Sequence, residues 1–120
     1  MAKQVIYGVC PSKSNSYRII TINGHGSLAK TKAMKDYEKS FYLQCNLYRN
    51  KDIQGFFEFH IDVYFPSNRS DLDGIFKGTL DCLQKSGAFK NDNKCVRIVA
   101  NKYVDASNPR TEFEIIEIDS

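Results

Sequence analysis

At 120 residues, with 42% hydrophobic and 26% charged residues, the chain has the length for one core and the composition of a globular domain, which excludes a disordered or fibrous protein. No apolar run is long enough to span a membrane, and residues 1–20, with Lys3, Lys13 and Arg18, lack the apolar stretch of a secretory signal. A cytoplasmic protein without a membrane partner, folded as a single domain over 1–120, is therefore expected. Cys10, Cys45, Cys82 and Cys95 are scattered with no Cys-x-x-Cys pair, the pattern of buried free thiols and not of a zinc site or disulfide framework. The net charge of +3 hides an asymmetry: residues 1–51 hold nine Lys or Arg and two acids, residues 52–120 eight and twelve. Such a division suits a protein that grips a polyanion and holds a cation; solvated helix faces can produce it too.

Gln4 to Cys10 reads as a first strand, ended by Pro11 and a Ser/Asn-rich loop from Ser12 to Ser16. Arg18 to Asn23 is a short second strand, with Gly24-His25-Gly26 as the turn after it and His25 exposed there. Thr31 to Leu47 reads as a helix whose stripe is Ala33, Met34, Tyr37, Phe41, Cys45 and Leu47, with Lys32, Lys35, Lys39 and Arg49 mostly off it. Phe56 to Phe65 alternates as a strand: Phe57, Phe59, Ile61, Val63 and Phe65 face a core, and Glu58, His60, Asp62 and Tyr64 face away. Same-face neighbours on one strand rarely converge on one ion, so the second set reads as a polar sheet face. After Pro66 to Ser70 a helix over Asp71–Ser86 presents Leu72, Ile75, Phe76, Leu80 and Leu83, with Gly87 where a left-handed residue ends a helix. Cys95–Val104 and Thr111–Ile118 are two more strands, expected to pair as an antiparallel hairpin around Asn108-Pro109. The layout is α+β: a mixed or mostly antiparallel sheet covered by two helices.

The chemistry concentrates in Asp71 to Asp92. Mg²⁺ wants hard oxygen ligands, and Asp71 and Asp73 at a strand-to-helix junction can face one cleft. Asp92 joins them if the strand after it returns beside the strand before them. Lys77, four residues past Asp73, projects from the same helix face and could meet a phosphate, with Asp81 tying it from the other side. A structural reading fits the same residues: Ser70-x-x-Asp73 matches a capping box, and Lys77 between two aspartates makes ordinary helix ion pairs.

Asp71-Leu72-Asp73 with Lys77, then Lys85-Ser86-Gly87 and Asp92, together with Pro11-Ser12-x-Ser14-Asn15 and Tyr17-Arg18 near the start, resemble the RusA family of Holliday junction resolvases found in phages and prophages. The resemblance covers nearly the whole chain and is strongest over 66–99. It implies a RusA-like fold and a homodimeric endonuclease that uses Mg²⁺, or Mn²⁺ in its place, to make paired nicks in four-way or branched DNA during recombination and repair. It also implies that Asp71, Asp73 and Asp92 bind the metal and that Lys77 is the catalytic lysine. Lys13, Asn15, Arg18, Lys30, Lys32 and Arg69 are the expected DNA contacts, with Lys35 and Lys39 as further support. Two departures stand out: Gly74 replaces the family's usual Asn, and only Arg69 is basic in Pro66 to Ser70. An inactive DNA-binding or protein-interaction module is the alternative, and a nuclease for flaps or forks a third.

Overall fold

The computed structural model describes residues 3–12 and 17–118. Its elements in chain order are strand β1 (Gln4–Tyr7), strands β2 (Tyr17–Ile22) and β3 (His25–Lys30), helix α1 (Lys32–Gln44), strand β4 (Phe57–Phe65), a 3-10 turn (Leu72–Ile75), helix α2 (Phe76–Lys85), a second 3-10 turn (Asp92–Lys94), and strands β5 (Cys95–Val104) and β6 (Arg110–Glu117).

Strand β4 behaves as its alternation requires. Phe57, Phe59, Ile61, Val63 and Phe65 are all buried, and the residues between them are half-exposed. Being the most apolar strand, it sits inside the four-stranded sheet, whose order is β1-β6-β4-β5. The expected hairpin of the last two strands does not form. Strand β5 runs parallel to β4 on one side, and β6 runs antiparallel to it on the other. This arrangement gives both edges of the buried strand a hydrogen-bonding partner, whereas pairing β5 with β6 directly would leave one edge of β4 open. The link between them passes the end of β4, where the Asp105 N–H donates to the Phe65 carbonyl at 2.8 Å. The pair β4–β5 is parallel because α2 carries the chain back between them.

Both helices contribute to the core on one face of the sheet. Phe113 of β6 stacks on Phe41 of α1 with ring centres 5.7 Å apart, and meets Tyr48 and Phe59 at similar distances. From α1 only Met34, Tyr37, Phe41 and the buried Glu38 turn inward; Ala33 and Leu47, expected on the stripe, are exposed. Thr31 caps α1 by accepting from the Met34 N–H. At the other end Gln4 and Gln44 stitch α1 to β1, with Gln4 donating to the Gln44 carbonyl and Gln44 bonding both backbone groups of Tyr7. The opposite face of the sheet is polar: His60 lies 2.9 Å from Glu58, and Asn101 donates to Asp62.

The first half of the chain holds a hairpin that the expected turn at Gly24-His25-Gly26 misses. Asn23 and Gly24 both have positive φ, 51° and 79°, and join β2 to β3, leaving His25 as the first residue of β3. Asn-Gly is the sequence that such a two-residue turn favours. The helix expected from Asp71 starts as a 3-10 turn and becomes α-helical only at Phe76.

Gly87 follows α2 at φ +80°, and a Cβ there would come within 2.9 Å of Asn50 Oδ1 and 3.2 Å of Asn50 Cα. The Asn50 and Asp52 N–H groups donate to Ser86 and Gly87, so this backbone cannot easily withdraw. Gly87→Ala is expected to lower unfolding stability by about 1–3 kcal/mol, read as a reduced urea midpoint at unchanged slope.

Candidate active site

Asp71 lies at the start of the 3-10 turn in extended conformation, and its side chain makes no capping bond. The capping-box reading is therefore not realised: neither Ser70 nor Asp71 caps, and Asp73 falls inside the turn. Both carboxylates are exposed, and neither makes a hydrogen bond or ion pair with a described residue.

They line a cleft of about 700 Å³ together with Ser12, Tyr17, Arg18, Ile19, Leu28, Arg69, Ser70 and Gly74. One wall is the β2–β3 hairpin, which supplies Arg18. The other is the segment after β4, which supplies Arg69 and the two acids. Two carboxylates and two guanidinium groups thus share one open cavity. Carboxylate oxygens are the hard donors that Mg²⁺ prefers, so Asp71 and Asp73 fit a divalent ion by chemistry.

Lys77 does not pair with Asp73. Its ammonium lies 3.6 Å from Asp81 Oδ2, one turn further along α2, and 5.1 Å from the centre of the Tyr17 ring. The same Asp81 oxygen accepts a 2.6 Å hydrogen bond from the Tyr17 hydroxyl. Lys77 is thereby held behind the cleft wall that Tyr17 forms. Burial, then the bond to Asp81, pushes the Tyr17 phenol well above its ordinary range.

Tyr17 pairs with Lys30 across the base of the hairpin. Lys30 donates to the buried Glu38 of α1 at 2.9 Å, and Lys85 of α2 approaches the same carboxylate at 3.6 Å. One rung of the hairpin is thus fixed to α2 through Asp81 and to α1 through Glu38. Sequence reasoning missed Tyr17, Asp81 and Glu38 in this role. The nearest signal was the i,i+4 spacing of Lys77 and Asp81.

The remaining expected residues are elsewhere. Lys30 is engaged with Glu38, and Lys32 pairs with Asp36 at 2.9 Å on α1; neither lines the cleft. Lys13 and Asn15 lie outside the described residues. Asp92 does not join Asp71 and Asp73. In the parallel register Cys95 lies beside Phe57 and Val104 beside Phe65. The turn carrying Asp92 therefore sits at the start of β4, whereas Asp71 and Asp73 follow its end. The expected return to one place fails because a parallel crossover restarts the second strand at the first strand's beginning. Nine strand residues, about 27 Å of extended chain, separate the two ends. Among the described residues no three His, Cys, Asp or Glu side chains come together to hold a metal.

The cleft thus sets two aspartates beside two arginines at the end of the central strand of a mixed sheet. The Endodeoxyribonuclease RusA family matches residues 10–116, and the chain belongs to that family. It is accordingly an endodeoxyribonuclease of the Holliday junction resolvase type, with branched DNA as its substrate. No curated protein matches the chain. Among the described residues no helix is long and apolar enough to cross a membrane.

Tyr17→Phe removes the bond to Asp81 and should cost about 1–2 kcal/mol, with trypsin cutting the hairpin at Arg18 or Lys30 sooner than in wild type. Because the folded Tyr17 keeps its proton above the ordinary value of 10.0, its contribution is whole below that pH and declines as pH rises past it. Urea midpoints measured from pH 9 upward should fall less steeply for Tyr17→Phe than for wild type.

Proposed function

We propose that the cleft is the nuclease centre of a Mg²⁺-dependent resolvase, with Mn²⁺ able to substitute, that cuts four-way junctions in paired fashion during DNA recombination and repair in the cytoplasm. The observation that carries this reading is the pair Asp71 and Asp73, exposed and unbonded in a cavity shared with Arg18 and Arg69. When bound, a divalent ion supplies positive charge that offsets the negative charge building on the phosphodiester. The chain's own residues do the positioning. Asp71 and Asp73 hold the ion, and Arg18 and Arg69 grip phosphates from opposite walls. Lys77, released from Asp81 as DNA enters, donates to the scissile phosphate. Lys13 and Asn15 are proposed as DNA contacts from their sequence position next to Tyr17-Arg18; Lys30 and Lys32 would have to leave their acid partners to take part.

The third carboxylate, Asp92, is at the other end of the sheet. We infer that a homodimer supplies it, the Asp92 of one copy serving the Asp71 and Asp73 of the other. Two sites related by a two-fold axis match the related strands of a junction.

Asp73→Asn is expected to cut a synthetic four-way junction in Mg²⁺ at least ~100-fold more slowly than wild type. Equal cutting would sink the assignment. Binding without cleavage by the wild type itself would favour the inactive module, for which Gly74, lining the cleft without a side chain, is the supporting feature. Co-expressing Asp73→Asn with Asp92→Asn should restore nicking, because the mixed dimer keeps one site with all three acids intact. Sites contained within single chains would stay dead in that mixture. Arg18→Gln and Arg69→Gln should each weaken junction binding and reduce the slope of log affinity against log salt by about 1.

A further inference from the structure

We propose that the groove between α1 and the end of α2 is a docking site for a short acidic segment of a partner protein, one whose alternate residues are two acids and then a large apolar side chain. The groove is separate from the nuclease centre, and the two share no lining residue.

The groove has a volume of about 480 Å³ and is lined by Lys35, Glu38, Lys39, Tyr42 and Leu43 of α1 and by Lys85 of α2. Positions 35, 38, 39, 42 and 43 follow the three- and four-residue steps of one helix face. The adjoining face of α1 is buried in the core through Met34, Tyr37 and Phe41, so this is a second stripe, left uncovered. An apolar floor and a cationic rim share it. Tyr42 and Leu43 are 43% and 66% exposed. Lys35 and Lys39 are exposed too, and neither pairs with an acid among the described residues. Lys32, by contrast, is held by Asp36. The one acid in the lining, Glu38, is buried and already met by Lys30 at 2.9 Å and Lys85 at 3.6 Å. Its charge is used within the fold, and the rim keeps a surplus of positive charge. Arg49 adds to that surplus, standing 5.2 Å from the centre of the Tyr42 ring and donating to the Tyr42 carbonyl.

Positive charge around an apolar floor selects the ligand. A DNA backbone would satisfy the lysines but brings no apolar group to Tyr42 and Leu43. An acidic peptide satisfies both. Lys35, Lys39 and Leu43 are spaced one turn apart, a rise of about 6 Å per step. Alternate side chains of an extended peptide lie on one side, about 7 Å apart. An acid, a second acid two residues on and an apolar residue two further therefore meet Lys35, Lys39 and Leu43 in order. Lys85, beside Glu38, faces the acids from α2.

Fluorescence anisotropy of a labelled peptide, Gly-Asp-Ser-Asp-Ser-Phe-Gly, against the full chain tests the site. Wild type should bind it with a dissociation constant on the order of 10–100 μM. Replacing the peptide's Phe by Ser, or making Lys39→Glu or Leu43→Ser in the protein, should weaken binding at least ~10-fold. Lys102→Glu on β5 makes the same change of charge outside the groove and should leave binding unaltered. In wild type, the amide NMR signals that shift on adding the peptide should fall at residues 35–43 and around Lys85. Excess four-way junction DNA without divalent metal should leave the peptide bound, and Leu43→Ser should bind the junction as wild type does. A peptide that does not bind, binding indifferent to its Phe or to Leu43, or shifts centred on another surface would overturn the proposal. Displacement by DNA would overturn it as well and assign the groove to nucleic acid.

Discussion

Burial of one face of β4 is the constraint on which the other elements depend. Five large apolar side chains at alternate positions must leave water together, and each is worth roughly 1.5–3 kcal/mol when fully buried. A strand with that face cannot occupy an edge without exposing backbone beside its core, so it takes a partner on both sides. The two strands available after it in sequence fill those places, and the helices close over the apolar face. Phe113 of β6 and Phe41 of α1 meet there because β6 is hydrogen-bonded to β4 and α1 covers them both. The position of Asp71 follows as well, since the chain leaves the C-terminal end of β4 and must turn into α2 to return.

The alternation of β4 was legible in the sequence because bulky apolar residues at strict period two suit a half-buried strand and would scatter around a helix. Helix α1 was legible through Met34, Tyr37 and Phe41, and the stop at Gly87 through the need for positive φ. Strand β3 was not: His25 to Lys30 contains no β-branched residue, and its only mark is the Asn23-Gly24 turn that pairs it with β2. Strand order was illegible for a deeper reason. Periodicity reports which face of an element is buried but not which neighbour it lies beside. A five-residue link between β5 and β6 suits adjacency as well as a step across β4. The error about Asp92 descends from that ambiguity, because only a parallel partner carries it to the far end.

The cleft has two walls of different character. The wall bearing Asp71, Asp73 and Arg69 is continuous with the core through Ile75, which is fully buried one turn later. The hairpin wall bearing Arg18 has little apolar anchorage: Ile19, Ile22 and Leu28 are all exposed. It is held at its base by polar contacts, Tyr17 to Asp81 and Lys30 to Glu38. An isolated two-stranded hairpin is marginal in water, so those contacts set how the wall stands over the acids. Glu38 reads in sequence as one more acid on a charged helix. Its burial between two lysines from different elements is visible only after folding.

Lys77 and Tyr17 meet on Asp81 at the base of this wall. As long as Asp81 accepts from Tyr17 and faces Lys77, one carboxylate serves both the hairpin and the lysine. A phosphate entering the cleft brings a competing negative charge, and an ammonium whose partner is partly exposed and already shared can move at small cost, since exposed ion pairs contribute about 1 kcal/mol or less. The bond from Tyr17 to the same carboxylate is the shorter of the two contacts, 2.6 Å against 3.6 Å. One carboxylate thus carries a short bond to the hairpin and a longer contact to the lysine. Under the proposed role of Lys77, the charge that would meet DNA is the one held by the longer contact.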